Sequence, residues 1–490
     1  MMRKLLTAAT VLAALVLGGC NDNKDSVKPK NLIFFLGDGY GIVPMTATRI
    51  YTVGESGQLQ IDQFPESAFI KTYSNDAQVT DSAPSMSAYM TGYKMNNEVI
   101  SMSTDTKAAD SSGKGYVSGA DSTCPASGNG TPVTTLLELA KAAGRGTAVV
   151  TTTRVTHATP AATYAHICHR DGENNIAAQL VPGGSGFNSA LLDGVDVVLG
   201  GGWQHFLPQG DTKGSSRSDT RNLVDEMKAK GYSYVSNVTD LQAVPASTTG
   251  KLLGLFTKGH MNFDLDRDPA SEPSLSQMTA KAIDIVSKNP KGFFLMVEGG
   301  RIDQALHPTL ARKALQDGKA FDEAIKTAID KMKTLDPELK NTLIVVTADH
   351  DHTLVMNGYA ALTGATTDTH PGILGLMRDY TAAQNTDGSQ KDLSTVTPSK
   401  DADGKPFTTL VFGNGENRIQ GNRNTQSDLS DDQVFNKDYH QEAAIRMPSG
   451  SETHGGGDVF LGAMGLNADT FHGTLENNKV FDLCKAAVGL

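Results

Sequence analysis

Five short, nearly unbroken apolar stretches set the first constraint on this chain: Leu32 to Leu36, Thr147 to Thr152, Val195 to Leu199, Phe293 to Val297 and Leu343 to Thr347. A strand with one wet face alternates in polarity, whereas a strand covered by helices on both faces of a parallel sheet reads as a continuous apolar run. Helical patterns lie between the runs. Thr134 to Ala143 closes on Gly144, and Ser276 to Lys288 follows a capping box at Ser274 and Gln277. Ala311 to Leu335 repeats Ala314, Phe321, Ile325, Ala328 and Met332 at near-helical spacing. This alternation predicts an α/β fold with a doubly wound, mostly parallel sheet flanked by helices. From 357 to 451 the chain turns to Gly, Asn, Asp, Ser and Thr, with few core elements and one strand expected at Thr408 to Phe412. That segment reads as an insertion, so the main domain comprises 31–356 and 452–490, its sheet resuming near Gly457.

Ligands bind parallel sheets beyond the carboxyl ends of the strands. Three of the runs end there on acids: LIFFLGDG at Asp38, FFLMVEGG at Glu298, and LIVVTADH at Asp349, which His350 follows. A single acid after a strand is commonly a cap or a solvated turn; three, two of them flanked by glycine, point to a shared metal site. In EGGRIDQALH, Asp303 and His307 stand four residues apart, so one helical turn can aim both at one cation. ETHGGG adds His454, in a glycine-rich loop that offers no apolar face to pack against. Oxygen and imidazole donors without thiolate suit zinc, and carboxylate with hydroxyl suits magnesium. Ser82, in VTDSAPSMSAYMTGYK, opens a helix whose positive end would favour negative charge on its hydroxyl. Taken alone, Ser82 or Asp81 would be read as a helix cap.

The first residues combine a basic start (MMRK), a short apolar run (LLTAATVLAALVL) and small residues ending on a cysteine. The run is too short to span a bilayer. Leu17-Gly18-Gly19-Cys20 resembles the lipobox of bacterial lipoproteins, which makes 1–19 a signal peptide, Cys20 the lipidated first residue and 20–30 a tether. An ordinary secretory signal with a chance cysteine is the alternative. Either reading exports the protein, to the periplasm or the cell surface. Three cysteines remain, an odd number; Cys124 with Cys168 is the favoured pair and Cys484 is left over. A formal charge of -11 argues against nucleic acid as a partner. It also requires that an anionic substrate be captured by a local positive site.

Together these segments resemble the alkaline phosphatase family, with its motifs in order from about Asn31 to the C-terminus. Asp38 in GDGYG, Ser82 in TDSA, Thr159 in HATPAA, Arg170, Glu298, Asp303 and His307 in VEGGRID and beyond, Asp349 and His350 in TADHDH, and His454 in ETHGGG fill the family's positions. The resemblance implies hydrolysis of phosphate monoesters through a phosphoserine at Ser82, with Arg170 gripping the phosphoryl oxygens. It further implies two Zn2+ and one Mg2+: one zinc on Asp303, His307 and His454, the other on Asp38, Asp349 and His350, and magnesium on Asp38, Thr159 and Glu298. His157 and Gln304 are implied near the substrate, but both depart from the best-known bacterial member, which has aspartate and lysine there. The missing lysine charge implies altered phosphate affinity and product release, and His157 leaves open whether the third site takes magnesium or zinc. The 357–451 segment sits where the family places its crown, and a homodimer is implied. His352 and His260 are weaker candidates, for which core or surface roles have at least equal claim.

Three other readings compete. A phosphodiesterase could use the same scaffold. A sulfatase would need arginine where Met86 stands, four residues after Ser82. A non-catalytic lipoprotein that binds metal or phosphate would be expected to have lost a nucleophile or ligand, and none of the ten positions is missing.

Overall fold

The computed structural model describes residues 30–418, 421–448 and 451–490. The expected signal peptide, Cys20 and the tether up to residue 29 lie outside the described residues. Among the described residues the main sheet has ten strands: β1 Asn31–Gly37, β2 Glu66–Lys71, β3 Gly146–Arg154, β4 Val197–Gly201, β5 Ser233–Val235, β6 Leu252–Leu255, β7 Phe293–Gly299, β8 Thr342–Ala348, β9 Val459–Gly465 and β10 Gly473–Glu476. Their order across the sheet is β10-β2-β9-β8-β1-β7-β3-β4-β6-β5. Among the described residues, only β9 runs against its neighbours, β8 and β2. The five apolar stretches become the five contiguous strands β8, β1, β7, β3 and β4, and Leu32 to Leu36, Phe294 to Val297 and Leu343 to Val346 have no exposed surface. The strands not foreseen, β2, β5, β6 and β10, lie toward the two edges of the sheet, where runs are short or alternate as ESAFIK does.

Helices cover the sheet at the expected places. We label six: α1 Ile42–Val53, α2 Ser82–Thr91, α3 Leu275–Val286, α4 Arg301–Leu306, α5 Ala311–Leu335 and α6 Asn477–Val488. The capping box at Ser274 and Gln277 starts α3, and α5 has the bounds its periodicity predicts. In α5, Ala314, Phe321, Ile325, Ala328 and Met332 are buried, and the helix packs along α3 and α1. Strand register brings the acids to one edge: Leu36 is opposite Glu298 in β7, and Gly37 is opposite Ala348, the residue before Asp349.

The 357–451 segment contributes to a small sheet of Leu354–Met356, Leu410–Gly415 and Ala443–Arg446, with a minor apolar cluster of Ala361, Ala383 and Val396. Within the segment, Ile373, Leu374, Leu410, Phe412 and Ala443 join the main core. Single apolar residues dispersed among polar ones anchor the segment, a pattern that composition does not reveal. The strand expected from Thr408 begins at Leu410, because the carbonyls of Thr408 and Thr409 accept from the Asn357 amide. Cys124 and Cys168 are joined by a disulfide, their Cα atoms 5.9 Å apart, and Cys484 is free and buried. Among the described residues, no helix is long and apolar enough to cross a membrane.

Candidate active site

The turns after β1, β7 and β8 carry Asp38, Glu298 to Asp303, and Asp349 with His350 to the carboxyl edge of the sheet. Gly39 keeps the first turn tight. Its φ of +66° is one that glycine adopts without penalty, its N–H donates to Asp349 Oδ1 at 3.0 Å, and a Cβ there would lie 2.5 Å from the His352 ring. Opposite these turns, Asp81 caps α2 by accepting from the Ala83 N–H at 2.8 Å. Since Asp81 is the cap, the Ser82 hydroxyl is free to face the acids. Its Oγ lies 3.3 Å from Asp38 Oδ1 and 3.2 Å from His350 Nε2.

Two groups of ligand atoms follow. Around Ser82, His350 Nε2 stands 3.3 Å from Asp38 Oδ1 and 3.4 Å from Asp349 Oδ2. Beside them, His307 Nε2 is 3.3 Å from Asp303 Oδ1, His454 Nε2 is 3.5 Å from the same oxygen, and the two imidazole nitrogens are 3.2 Å apart. Donors held tetrahedrally at zinc bond lengths are about 3.3 to 3.5 Å from one another. Each of these three histidines donates its Nδ1–H to a backbone carbonyl: His350 to Asp351 at 3.2 Å, His307 to Glu452 at 2.7 Å and His454 to Thr80 at 2.8 Å. That second bond fixes the tautomer and leaves the Nε2 lone pair facing the carboxylates, as in metal-binding histidines.

His352 differs from these three. Its Nε2 bonds Asp303 Oδ1 at 2.8 Å and its Nδ1 bonds Glu452 Oε2 at 2.5 Å, so neither nitrogen is free. Although burial opposes its charge, the carboxylates of Glu452 and Asp303 raise its pKa to about 10. Glu452 is itself held by the Thr353 N–H at 2.6 Å. His352 therefore serves as a charged brace behind Asp303. From sequence His352 is only a weaker candidate and Glu452 is not a candidate, although the pairing of Asp351–His352 with His454–Gly455 beside them follows two of the motifs. Beside that pairing the His454 ring finds no apolar face and stacks instead on the imidazole of His350, 3.5 Å between centroids.

A third group comprises Asp38, His157 and Glu298, with one ligand atom from each within 4.8 Å of the others. Thr159 Oγ1 lies 3.4 Å from Asp38 Oδ2, and Glu298 Oε2 accepts from Thr153 Oγ1 at 3.0 Å and from Thr151. Arg170 reaches in from the other side, with Nη1 on Asp81 Oδ1 at 2.9 Å and Nη2 on His157 Nε2 at 3.0 Å. Arg170, Ser82, His157, Gln304 and His454 line one cavity of about 350 Å³.

The electrostatics call for cations. Burial, then the charges of Asp303 and Glu298, drives the Asp38 pKa well above the carboxylate range. Burial raises Asp349 and Glu298 to about 7 each. Burial would raise Asp303 as well, but the surrounding imidazoles of His307, His352 and His454 hold it well below the usual range. Three buried ligand atoms, Asp349 Oδ2, Glu298 Oε1 and His157 Nδ1, have no hydrogen-bond partner. A buried polar atom left unpaired costs about 1 to 3 kcal/mol, and more if charged. Divalent ions would relieve the two carboxylate oxygens, so the acids fit the metals that the sequence implies; His157 Nδ1 carries the ring proton while Nε2 accepts from Arg170.

The alkaline phosphatase family profile matches residues 29–490. The chain belongs to the alkaline phosphatase family. The tissue-nonspecific alkaline phosphatase of Rattus norvegicus is 36% identical over 479 residues, covering 92% of this chain and 82% of that enzyme. The alkaline phosphatase of Gadus morhua is 36% identical over 499 residues, covering 96% and 93%. Among solved structures, the Thermus thermophilus alkaline phosphatase superposes with a TM-score of 0.64 at 23% identity, covering 98% of this chain and 96% of that one. The enzyme from the Antarctic bacterium TAB5 gives 0.61 at 23% identity, covering 94% and 99%. These bacterial structures share the fold, a large mixed sheet flanked by helices. As a member of the alkaline phosphatase family, the chain is a metal-binding phosphatase that hydrolyses phosphate monoesters, EC 3.1.3.1.

Proposed function

We propose that hydrolysis proceeds through a phosphoserine on Ser82, at a site that holds two zinc ions and one magnesium ion. The reading is carried by the three histidines pinned at Nδ1, whose Nε2 atoms meet carboxylate oxygens at 3.3 to 3.5 Å. Asp303, His307 and His454 would hold one zinc, Asp38, Asp349 and His350 the other, and Asp38, Thr159 and Glu298 the magnesium. When bound, these ions supply Lewis acidity that stabilises the alkoxide and the leaving oxygen. The magnesium assignment is supported by a variant of the TAB5 enzyme with Mg bound in its M3 site, while zinc on His157 would require Nδ1 to give up the proton that the bond from Arg170 places there.

Ser82 Oγ attacks phosphorus as its proton passes to solvent, and the bond from phosphorus to the alcohol oxygen breaks, that oxygen taking a proton from water to leave as the alcohol. Water then hydrolyses the phosphoserine, returning Ser82 and inorganic phosphate. Arg170 grips two non-bridging oxygens through its planar guanidinium, held in place by Asp81 and His157. Burial disfavours that charge, but Asp81, Glu98 and Asp38 outweigh it and raise the Arg170 pKa, so the cation persists at every working pH. His157, whose pKa is pushed well below normal by burial and by Arg170, stays neutral and accepts from it. Gln304 brings no charge to the pocket, which we expect to weaken phosphate retention.

The comparison that tests this activity assays the purified, metal-loaded protein on a phosphate monoester, a phosphate diester and an aryl sulfate at alkaline pH. The monoester is expected to give by far the highest kcat/KM, and a preference for the diester would overturn the reading. The brace has its own test. Glu452→Gln removes the countercharge of His352, and we expect zinc affinity, read by competition with a chromogenic chelator, to fall about 10- to 100-fold. Unchanged affinity would mean that Glu452 does not act through Asp303.

We also propose that 357–451 is the crown lobe, that the protein works as a homodimer, and that Cys20 anchors it to a membrane after export as a periplasmic or cell-surface lipoprotein. A monomeric mass in solution would contradict the dimer, and an unmodified Cys20 in exported protein would contradict the anchor.

A further inference from the structure

The corner after His307 carries a backbone strain that its own residues do not explain. Helix α4 ends at Leu306, and the chain turns through His307, Pro308 and Thr309 into α5. The Thr309 N–H closes the turn on the Leu306 carbonyl at 2.7 Å, and the Leu310 N–H does so on that of Ala305 at 2.9 Å. Thr309 has a φ of +60°, in the left-handed region that glycine usually occupies at such helix ends. A β-branched residue there is a steric outlier, and such strain persists only where the surroundings impose it. Thr309 is fully buried and its Oγ1 has no hydrogen-bond partner, so its own side chain does not hold the turn.

The 357–451 segment supplies the hold, since its residues 435–441 run along the corner as a strap. His440 Nδ1 donates to the Pro308 carbonyl at 2.6 Å; a carbonyl can only accept, so that nitrogen carries a proton. The next N–H, of Gln441, donates to the Thr309 carbonyl at 3.0 Å. The strap is itself tied down. Asn417 Nδ2 donates to the His440 carbonyl at 2.6 Å, Lys313 pairs with Asp438 at 2.6 Å, and the Arg312 guanidinium donates to the Phe435 carbonyl at 2.5 Å while lying 3.7 Å over its ring. From the same segment Gly415 closes on the Thr309 methyl, so tightly that a Cβ on Gly415 would lie 2.9 Å from it. Pro308 and Thr309 directly follow His307, whose Nε2 stands 3.3 Å from Asp303 Oδ1. Glu452 already fixes the His307 ring through Nδ1, so what the strap adds is the path of the backbone beneath that ring.

We propose that this strap positions His307: by holding the carbonyls of Pro308 and Thr309, His440 and Gln441 keep the corner on the strained path that sets the imidazole against Asp303. The 357–451 segment is then a working part of the metal site, beyond any role as a lobe beside it. The inference rests on the assignment of a zinc ion to Asp303, His307 and His454, and it adds His440 to that site as a positioning residue.

The test titrates zinc into the metal-stripped full-length protein against a chromogenic chelator. Loss of a group that orients a metal ligand costs about 10- to 100-fold in affinity, and His440, acting through the backbone, should fall at the lower end. We expect His440→Ala to weaken one of the two zinc-binding steps about tenfold and to leave the other as in wild type. His440→Asn, whose Nδ2 can stand where the ring Nδ1 stood, should recover most of that loss. Thr309→Gly lets the corner keep its path unaided, so in that background His440→Ala should weaken zinc binding no more than about twofold. A strap that serves stability alone would lower the Tm of His440→Ala and leave both zinc steps unchanged, and that result overturns the proposal. So does a loss from His440→Ala that is as large in the Thr309→Gly background as in wild type. Wild-type protein that takes up fewer than two zinc ions would overturn the ligand assignment, and this inference with it.

Discussion

Ser82→Ala should lower kcat for monoester hydrolysis at least about a thousandfold while leaving the fold and the metal content intact. The expectation follows from how little else the hydroxyl does: its hydrogen-bond contacts are Asp38 and His350, and capping of α2 falls to Asp81. The alanine variant should therefore melt close to wild type. Wild type quenched in acid during turnover should carry phosphate on Ser82, and the variant should carry none. Activity that survived the substitution at wild-type level would remove Ser82 from the mechanism, since no other serine hydroxyl lies against Asp38 and His350 among the described residues.

Removal of metal should abolish activity and leave a protein whose stability falls as pH rises above about 6.5. Burial raises the folded-state pKa of Asp38, Asp349 and Glu298, the last two to about 7, whereas in an unfolded chain such groups titrate near 4. A raised acid binds more protons in the folded state, so its stabilisation is full below the unfolded pKa and is lost as pH climbs through the folded one. His352, raised to about 10, loses its contribution between about 6.5 and 10. Below 6.5 the buried neutral histidines act in the opposite sense. His454, His350 and His260 all have lowered pKa values, so stability rises with pH until they match the unfolded chain near 6.5. The window from about 6.5 to 7.5, where Asp349 and Glu298 give up their last protons, is thus the one to read. Zinc and magnesium replace protons on the carboxylates, so the gain in Tm on metal addition should grow by several degrees across that window. A gain that shrank with rising pH would contradict the placement of the ions on Asp38, Asp349 and Glu298.

Much of this site is legible in the sequence because the physics that selects it is local. Asp38, Glu298 and Asp349 each end a buried strand, and a parallel sheet delivers the ends of adjacent strands to one edge; the register of β1 with β7 and β8 does so here. Asp303 and His307 share a helical turn. The brace of His352 and Glu452 was not legible, because it joins residues 100 apart through a two-residue strand pair with no periodicity of its own. His260 was legible only as a weaker candidate, since one histidine in TKGHMN reads equally as a core or surface residue until Arg154 and Gln304 arrive from two other segments. The anchors of the 357–451 segment were not legible in its composition, because few apolar side chains such as Phe412 and Leu374 suffice to tie a polar segment to a core.

Anomalous diffraction from crystals of the zinc-loaded protein, collected on both sides of the zinc absorption edge, tests the central claim most directly. Two strong peaks are expected, one among Asp303, His307 and His454 and one among Asp38, Asp349 and His350 beside Ser82. Zinc bound elsewhere, or only one of those positions filled at saturating metal, would contradict it.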